Sequence, residues 1–193
     1  MPIEIEKKYR LTRKQREQIV RRLRELKAKP NKEEFEENTL YGGGVINFGG
    51  RALRLRRVGG RAILTFKERL PTPSSIKHQH EDETEVADAD AVDAILTALG
   101  FEAALIYEKR RTRWKIGKAE VVIDELPFGL FMEIEASESE IARVEELLGA
   151  TRFRAEMETY PNLTAKLGKR RGELIEARFP PARRNRSVRK GLR

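Results

Sequence analysis

The chain contains no cysteine, and its 193 residues include only two histidines, His78 and His80. Without thiols there is no disulfide, no cysteine nucleophile and no cysteine zinc site. Two histidines also disfavour a histidine-built metal site or a catalytic triad that depends on histidine. Any acid–base or metal chemistry therefore falls to carboxylates, lysines and arginines, and charged residues make up 37% of the sequence.

Long apolar runs and nucleotide-binding motifs are also lacking. No apolar run approaches the ~18 residues that a membrane-spanning helix needs, so no membrane association is predicted. The N-terminal sequence MPIEIEKKYR lacks the apolar stretch of a secretory signal, and we expect a cytoplasmic protein. Neither a GxGxxG after a strand nor a Walker-type GK[ST] is present, so the common nucleotide-binding folds have no support.

The net charge of +9 is concentrated at one end of the chain. Residues 169–193 contain ten lysines or arginines and two glutamates, whereas residues 1–168 contain 30 basic and 29 acidic residues. We therefore predict a domain over 1–168 and a basic, flexible C-terminal tail over 169–193, which lacks apolar periodicity. Nucleic-acid binding is expected only through this tail, whose simpler interpretation is a solubilising end.

The periodicity of the domain predicts strands with a few helices between them. Thr12 with Gln15, and Ser137 with Glu140, form capping-box patterns at the start of two helices, and Asp88 or Asp90 can cap a third. The polar, glycine-rich stretch up to Gly50 and residues 69–79 are interpreted as loops. This order predicts an α+β fold dominated by an antiparallel sheet or barrel. The predicted strands cover 3–9, 51–58, 61–68, 80–87, 105–116, 119–126 and 130–136, and the predicted helices 13–28, 88–99 and 137–148.

Alternate residues of these strands place acidic and basic side chains on one face. The acidic ones are Glu4, Glu6, Glu81, Glu83, Glu85, Asp124, Glu133 and Glu135, and the basic ones are Lys8, Arg54, Arg56, Lys67, Lys109, Arg111 and Arg113. A solvated outer face is the simpler explanation. However, the charges are sorted by strand, and the helices need the apolar face. A closed barrel with a charged interior and helices outside satisfies both conditions.

Such an interior has an evident chemical use. Glutamates two residues apart on a strand point the same way and form an oxygen-rich site for hard cations such as Mg²⁺ or Mn²⁺. Opposing rows of lysine and arginine can hold a polyphosphate, to which arginine gives bidentate contacts. Each set of charges is costly to bury without its counterpart, so a complex of metal and polyphosphate would balance them.

These residues resemble the CYTH domain family, the triphosphate tunnel metalloenzymes, and within it the bacterial proteins called class IV adenylyl cyclases. Glu4-x-Glu6-x-Lys8 matches the ExExK motif of the family, and the resemblance spans about 2–165. Further matches follow in the family's order: Leu53-Arg54-Leu55-Arg56, Leu64-Thr65-Phe66-Lys67, Glu83-x-Glu85, Lys109-x-Arg111-x-x-Trp114, Asp124, Gly129-x-Phe131-x-Glu133-Ile134-Glu135 and Thr159-Tyr160.

The resemblance implies a closed antiparallel barrel of about eight strands and a role for each matched residue. It implies catalytic roles for Glu4, Glu6 and Lys8. The implied metal ligands are Glu4, Glu6, Asp124, Glu133 and Glu135, and the implied phosphate-binding residues are Lys8, Arg54, Arg56, Lys67, Lys109 and Arg111. Glu83 and Glu85 would extend the acidic wall of the tunnel. Glu81 departs from the family, which often has a base there, so it should weaken phosphate binding or add metal affinity.

The implied function is a divalent-metal-dependent enzyme that hydrolyses tripolyphosphate, a nucleoside triphosphate such as ATP, or thiamine triphosphate. One alternative is a class IV adenylyl cyclase, which converts ATP to cAMP and pyrophosphate. Another is a non-catalytic module that binds polyphosphate or RNA. The sequence leaves open the substrate, the choice between Mg²⁺ and Mn²⁺, and whether the protein is a monomer or a homodimer.

Overall fold

The computed structural model describes residues 3–46, 50–72 and 74–181 of the chain. Its strands are β1 (Ile3–Leu11), β2 (Lys29–Pro30), β3 (Glu34–Gly42), β4 (Arg51–Val58), β5 (Arg61–Leu70), β6 (Lys77–Val86), β7 (Glu102–Ile116), β8 (Ala119–Leu126), β9 (Gly129–Glu135), β10 (Lys169–Arg171) and β11 (Leu174–Ala177). Its helices are α1 (Arg13–Glu25), α2 (Ala89–Ala98), α3 (Glu138–Leu148) and α4 (Tyr160–Leu167).

Eight of the strands close into an antiparallel barrel, which confirms the predicted fold. Around the barrel the order is β3, β4, β5, β6, β1, β9, β8 and β7, and β7 pairs again with β3. In this order β1 and β3 lie on opposite sides of the barrel. Polar residues of each strand face the interior because the apolar residues that alternate with them face the helices.

The main apolar core lies outside the barrel, between its wall and two helices. Ile19 and Leu23 of α1 and Val144 of α3 pack against wall residues such as Tyr9 and Met132, and all are buried. The predicted capping box of α1 is present: the Thr12 side chain accepts a hydrogen bond from the backbone N–H of Gln15, and the Gln15 side chain accepts one from the backbone N–H of Thr12. Asp88 caps α2 as predicted. No described helix is long and apolar enough to cross a membrane.

Strand β3 corrects the sequence analysis, which placed residues 34–42 in a loop. This strand pairs with both β4 and β7 and completes the barrel. Its backbone groups are satisfied by these two neighbours, so tertiary pairing outweighs its weak local preference for a strand. Two smaller predictions also differ: Ser137 makes no side-chain cap bond to α3, and β6 begins at Lys77, inside the predicted 69–79 loop.

The segment that was expected to be flexible forms regular structure over its first part. β10 and β11 make a small hairpin, and β11 pairs in parallel with β7 through Ile175 to Ala177. The guanidinium of Arg178 then contacts both Glu37 and Glu108 on the outer barrel wall. Residues 182–193 of the predicted tail lie outside the described residues, and the domain boundary at 168 stays a prediction.

Candidate active site

A charged cavity of about 570 Å³ runs into the barrel. This volume is typical of small-molecule sites. The matched residues that line it are Glu4, Glu6, Lys8, Arg54, Arg56, Lys67, Glu83, Lys109, Arg111, Glu133 and Glu135, joined by Arg113 and Glu120. The predicted charged face therefore lies inside the barrel, and the alternative of a solvated outer face is wrong for these strands.

Three of the predicted metal ligands lie together at one side of the cavity. Glu6 of β1 and Glu135 of β9 are directly opposite each other in the antiparallel pairing, and Glu4 lies two residues before Glu6 on β1. Each of the three carboxylates offers an oxygen within 4.8 Å of the other two. We call Glu4, Glu6 and Glu135 the glutamate triad.

The electrostatics of the triad fit a divalent cation. Burial, together with the neighbouring Glu133, Glu4 and Glu6, raises the pKa of Glu135 to about 8 against the opposing effect of Arg111. Burial also raises the pKa of Glu4, although Lys67 opposes this shift. Like charges placed directly opposite each other on neighbouring strands are destabilising. Because hard cations prefer carboxylate oxygens, the triad fits Mg²⁺ or Mn²⁺.

The other two predicted metal ligands, Asp124 and Glu133, are paired with protein cations in this structure, and their role as metal ligands stays a prediction. The guanidinium of Arg111 donates to Asp124 at 2.8 and 2.5 Å and to Glu133 at 2.6 Å. The Tyr160 hydroxyl also donates to Asp124, at 2.9 Å. Lys8 Nζ lies 3.3 Å from Glu133. Burial alone would raise the pKa of Glu133, but Lys8 and Arg111 outweigh it and hold this pKa well below its usual range. These two carboxylates therefore hold Lys8 and Arg111 in place on this side of the cavity.

On the β4 and β5 side, predicted phosphate-binding residues are paired with acidic ones. Lys67 Nζ lies 2.7 Å from Glu4 and 2.8 Å from Glu81. The Arg56 guanidinium donates to Glu83 at 2.8 Å, and that of Arg54 lies 3.7 Å from the same carboxylate.

Glu85 and Glu81, the acidic residues two positions after and before Glu83, lie in different surroundings. The side chain of Glu85 is 59% exposed, pairs loosely with Arg61, and is not among the residues that line the cavity. Glu81, the departure from the family, lies beside Lys67 and Arg54, where it reduces the positive charge offered to a phosphate.

The sequence analysis missed two charged residues because it placed them in loops. Lys77 is buried 3.4 Å from Glu6, and burial together with Lys8 lowers its pKa to about 8. Glu36 is buried, and its carboxylate lies 3.2 Å from Lys109 Nζ. Burial and the neighbouring Arg111 lower the pKa of Lys109 to about 8. Glu34, Glu36 and Asn38 do alternate along 34–38, a period-two signal that the adjacent glycines obscured.

The fold is shared with several solved structures. The PH1012 protein from Pyrococcus horikoshii OT3 is 27% identical with a TM-score of 0.70, over 81% of this chain and 96% of that one. A candidate adenylate cyclase from Vibrio parahaemolyticus is 19% identical with a TM-score of 0.65, over 84% and 98% of the two chains. HpAC1 from Hippeastrum, described as a candidate adenylyl cyclase with a dominant triphosphatase activity, is 18% identical with a TM-score of 0.62, over 80% and 90%.

No curated protein sequence matches the chain significantly. The model of the CYTH domain matches residues 2–164, which cover the whole barrel and most of α4. This match includes every residue of the glutamate triad and every lysine and arginine that lines the cavity. Together with the closed eight-stranded barrel, it shows that the chain belongs to the CYTH domain family.

Proposed function

We propose that the protein is a divalent-metal-dependent triphosphatase that acts on a small triphosphate-containing molecule. The observation that carries the proposal is the glutamate triad facing lysines and arginines across one enclosed cavity. This arrangement offers oxygen ligands for a metal on one side and phosphate-binding groups on the other, and the two together suit a metal–phosphate complex.

In this proposal each wall of the tunnel has its own task. Glu4, Glu6 and Glu135 would hold the cation, which would supply charge neutralisation of the phosphate oxygens and positioning of the attacking group. Arg54, Arg56 and Lys67 bind phosphate oxygens from β4 and β5, and Lys8, Lys109 and Arg111 bind them from β1 and β7. Phosphoryl transfer depends mainly on such positioning and electrostatic stabilisation.

The lysines divide into two groups by charge state. Acidic neighbours raise the pKa of Lys8 and of Lys67 against the effect of burial, so both stay protonated and stabilise the charge on the transferred group. Lys77 and Lys109 have pKa values of about 8. A bound phosphate would favour the charged forms of both lysines.

Hydrolysis is favoured over cyclisation by what the tunnel wall offers. Cyclisation requires the nucleoside to be held so that its 3′-hydroxyl lies in line with the α-phosphorus. Within the described part of the chain, the aromatic residues lining the cavity are Tyr107 and Tyr160, and the Tyr160 ring already lies 3.8 Å from Lys8 Nζ. The description of HpAC1 as dominantly a triphosphatase agrees with this choice.

The deciding experiment incubates the purified chain with tripolyphosphate, ATP or thiamine triphosphate, each with Mg²⁺ or Mn²⁺, and separates the products by chromatography. We expect phosphate release from at least one substrate and its loss on adding a chelator. Dominant formation of cAMP from ATP, with tripolyphosphate untouched, would instead identify a cyclase. Tight binding of all three without turnover would identify a polyphosphate-binding module.

A further inference from the structure

A buried carboxylate lies among the cations that we assign to phosphate. Glu36 belongs to β3, across the barrel from β1, and is 0% exposed. Its Oε2 is 3.2 Å from Lys109 Nζ, and its Oε1 is 3.9 Å from the Arg56 guanidinium and 3.8 Å from that of Arg113. Basic residues of β4 and β7 therefore surround the Glu36 carboxylate before any phosphate binds.

This carboxylate is ionised but loosely held. Burial alone would raise its pKa, but Lys109, Arg111 and Arg56 outweigh burial and keep the pKa well below its usual range. Its contacts of 3.2 to 3.9 Å are longer than the roughly 2.7–2.9 Å of a charge-assisted hydrogen bond. Within the described residues, neither of its oxygens accepts a well-directed hydrogen bond. The bases around it keep free hydrogen-bonding capacity towards the cavity.

We propose that Glu36 is a specificity-determining residue, a fixed counter-anion that limits how much phosphate charge the tunnel binds. The inference rests on the proposed function, because it concerns the ligand of the same tunnel. Lys109 and Arg56 line the cavity, whereas Glu36 is not among its lining residues and lies behind them.

The effect follows from Coulomb's law at short range. A phosphate bound to Lys109 and Arg56 is repelled by Glu36, and this repulsion grows with the charge of the ligand. A longer inorganic polyphosphate is therefore penalised more than a shorter one. Without ligand, the same carboxylate offsets the mutual repulsion of Lys109, Arg111 and Arg56, so it stabilises the empty tunnel.

These two effects have opposite signs, which allows a sharp test with Glu36→Gln. The substitution keeps the volume and removes the charge. Binding of pyrophosphate, tripolyphosphate and a longer linear polyphosphate to the full chain is measured by calorimetry in the presence of a chelator. We expect affinity to rise by about tenfold for tripolyphosphate, less for pyrophosphate and more for the longer chain. The melting temperature of the ligand-free variant should fall.

The matched control is Glu37→Gln, which makes the same charge change on the adjacent residue of β3. Glu37 faces outward and contacts Arg178, so its substitution should leave the order of affinities unchanged. Glu36→Asp keeps the charge but draws it back towards β3. It should shift the affinities in the same direction by a smaller amount, and it carries the test if the glutamine variant does not fold.

The outcomes separate the two proposals. Equal changes for all three ligands, or weaker binding in both Glu36 variants, would overturn the role of Glu36. If the wild-type chain binds none of these ligands, with or without Mg²⁺, the proposed function itself is wrong. An increase that grows with ligand length supports the inference even if no substrate is hydrolysed.

Discussion

Two groups of carboxylates face the interior of one barrel, and their electrostatic surroundings are opposite. The glutamate triad is a cluster of like charges in which the pKa of Glu4 and of Glu135 is raised. Asp124 and Glu133 instead share the guanidinium of Arg111, and the pKa of Glu133 is lowered. Lys67 and Lys77 contact Glu4 and Glu6, but the raised pKa of Glu135 shows that these lysines do not fully offset the clustered carboxylates. The triad therefore gains by taking up a further cation, whereas Asp124 and Glu133 share a guanidinium at close range.

The difference arises from the register of the same strands. On β1 and β9, Glu6 is opposite Glu135, but two residues further along Lys8 is opposite Glu133. On β7 and β8, Arg111 is opposite Asp124. Strand alternation alone places all five carboxylates inside the barrel, and for Glu6, Asp124, Glu133 and Glu135 the residue across the ladder decides whether the nearest charge is another acid or a base. The four predictions below test this division.

The largest effect is expected for the triad. Glu6→Gln should lower phosphate release by at least about 100-fold, because the substitution removes a metal ligand worth several kcal/mol in the transition state. The fold should survive, as judged by circular dichroism. Glu85→Gln, which removes a carboxylate on β6 outside the cavity lining, serves as the control and should keep its activity. Full activity in Glu6→Gln would remove this residue from the metal site.

For Asp124 and Glu133, the expected effect of a substitution is a lower free energy of unfolding. Asp124→Asn leaves the buried Arg111 with one carboxylate fewer and Lys109 without its 3.8 Å contact. Breaking a buried pair by removing one partner costs about 3–5 kcal/mol. Chemical denaturation should therefore show a large loss in the free energy of unfolding. A nearly unchanged unfolding midpoint would mean that Asp124 is available as a metal ligand after all.

The same measurement on the triad should have the opposite sign. Glu135→Gln removes a carboxyl group whose ionised form is disfavoured by burial and by the neighbouring acids, so the metal-free variant should be more stable than the wild type at pH 7 by about 1 kcal/mol. Both proteins are compared in a chelator, and the difference should reverse when Mg²⁺ or Mn²⁺ is added. A destabilised metal-free variant would contradict the view that the triad repels itself.

The smallest effect concerns pH and the cation side of the tunnel. Lys77 and Lys109 have pKa values of about 8, below the 10.5 of a free lysine. Between these values the unfolded chain binds more protons, so these two groups make stability rise with pH. Phosphate affinity should change in the opposite direction, because a bound anion favours the charged lysines.

The proton linkage of binding provides the measurement. Calorimetric titration of tripolyphosphate in two buffers of different ionisation enthalpy, corrected for the protons that the ligand itself loses, should show net proton uptake by the protein above about pH 8. Proton release on binding would show that neither lysine gains charge next to the phosphates.

The parts of the fold that were predicted from sequence are those where local signals agree. The hairpin of β4 and β5 turns at Gly59 and Gly60, both at positive φ, between two alternating strands. Strand β3 was missed because its strand character depends on pairing with β4, across a glycine-rich connection, and with β7, which lies far away in sequence. Its polar residues and the glycines beside it resemble a loop until the barrel supplies their partners.

The charged face of the site was predictable, but its division was not. Alternation placed Glu4, Glu6 and Glu135 on one face, yet the sequence does not state the register that sets Glu6 against Glu135. Glu36 and Lys77 were missed for a different reason, since each lies within a segment that was interpreted as a loop. Errors in strand assignment therefore became errors in the site.

The pairing of β1 with β9 also bears on how the protein folds. Glu6 and Glu135 are neighbours in space but lie roughly 130 residues apart in sequence. Contacts between such distant segments form slowly, because the chain must first lose the entropy of closing a long loop. On the ribosome, β1 emerges long before β9, so the edge of β1 that pairs with β9 stays unpaired until most of the barrel has been synthesised. An early-binding chaperone or a transient partner for β1 would therefore affect the yield of active protein more than its final stability.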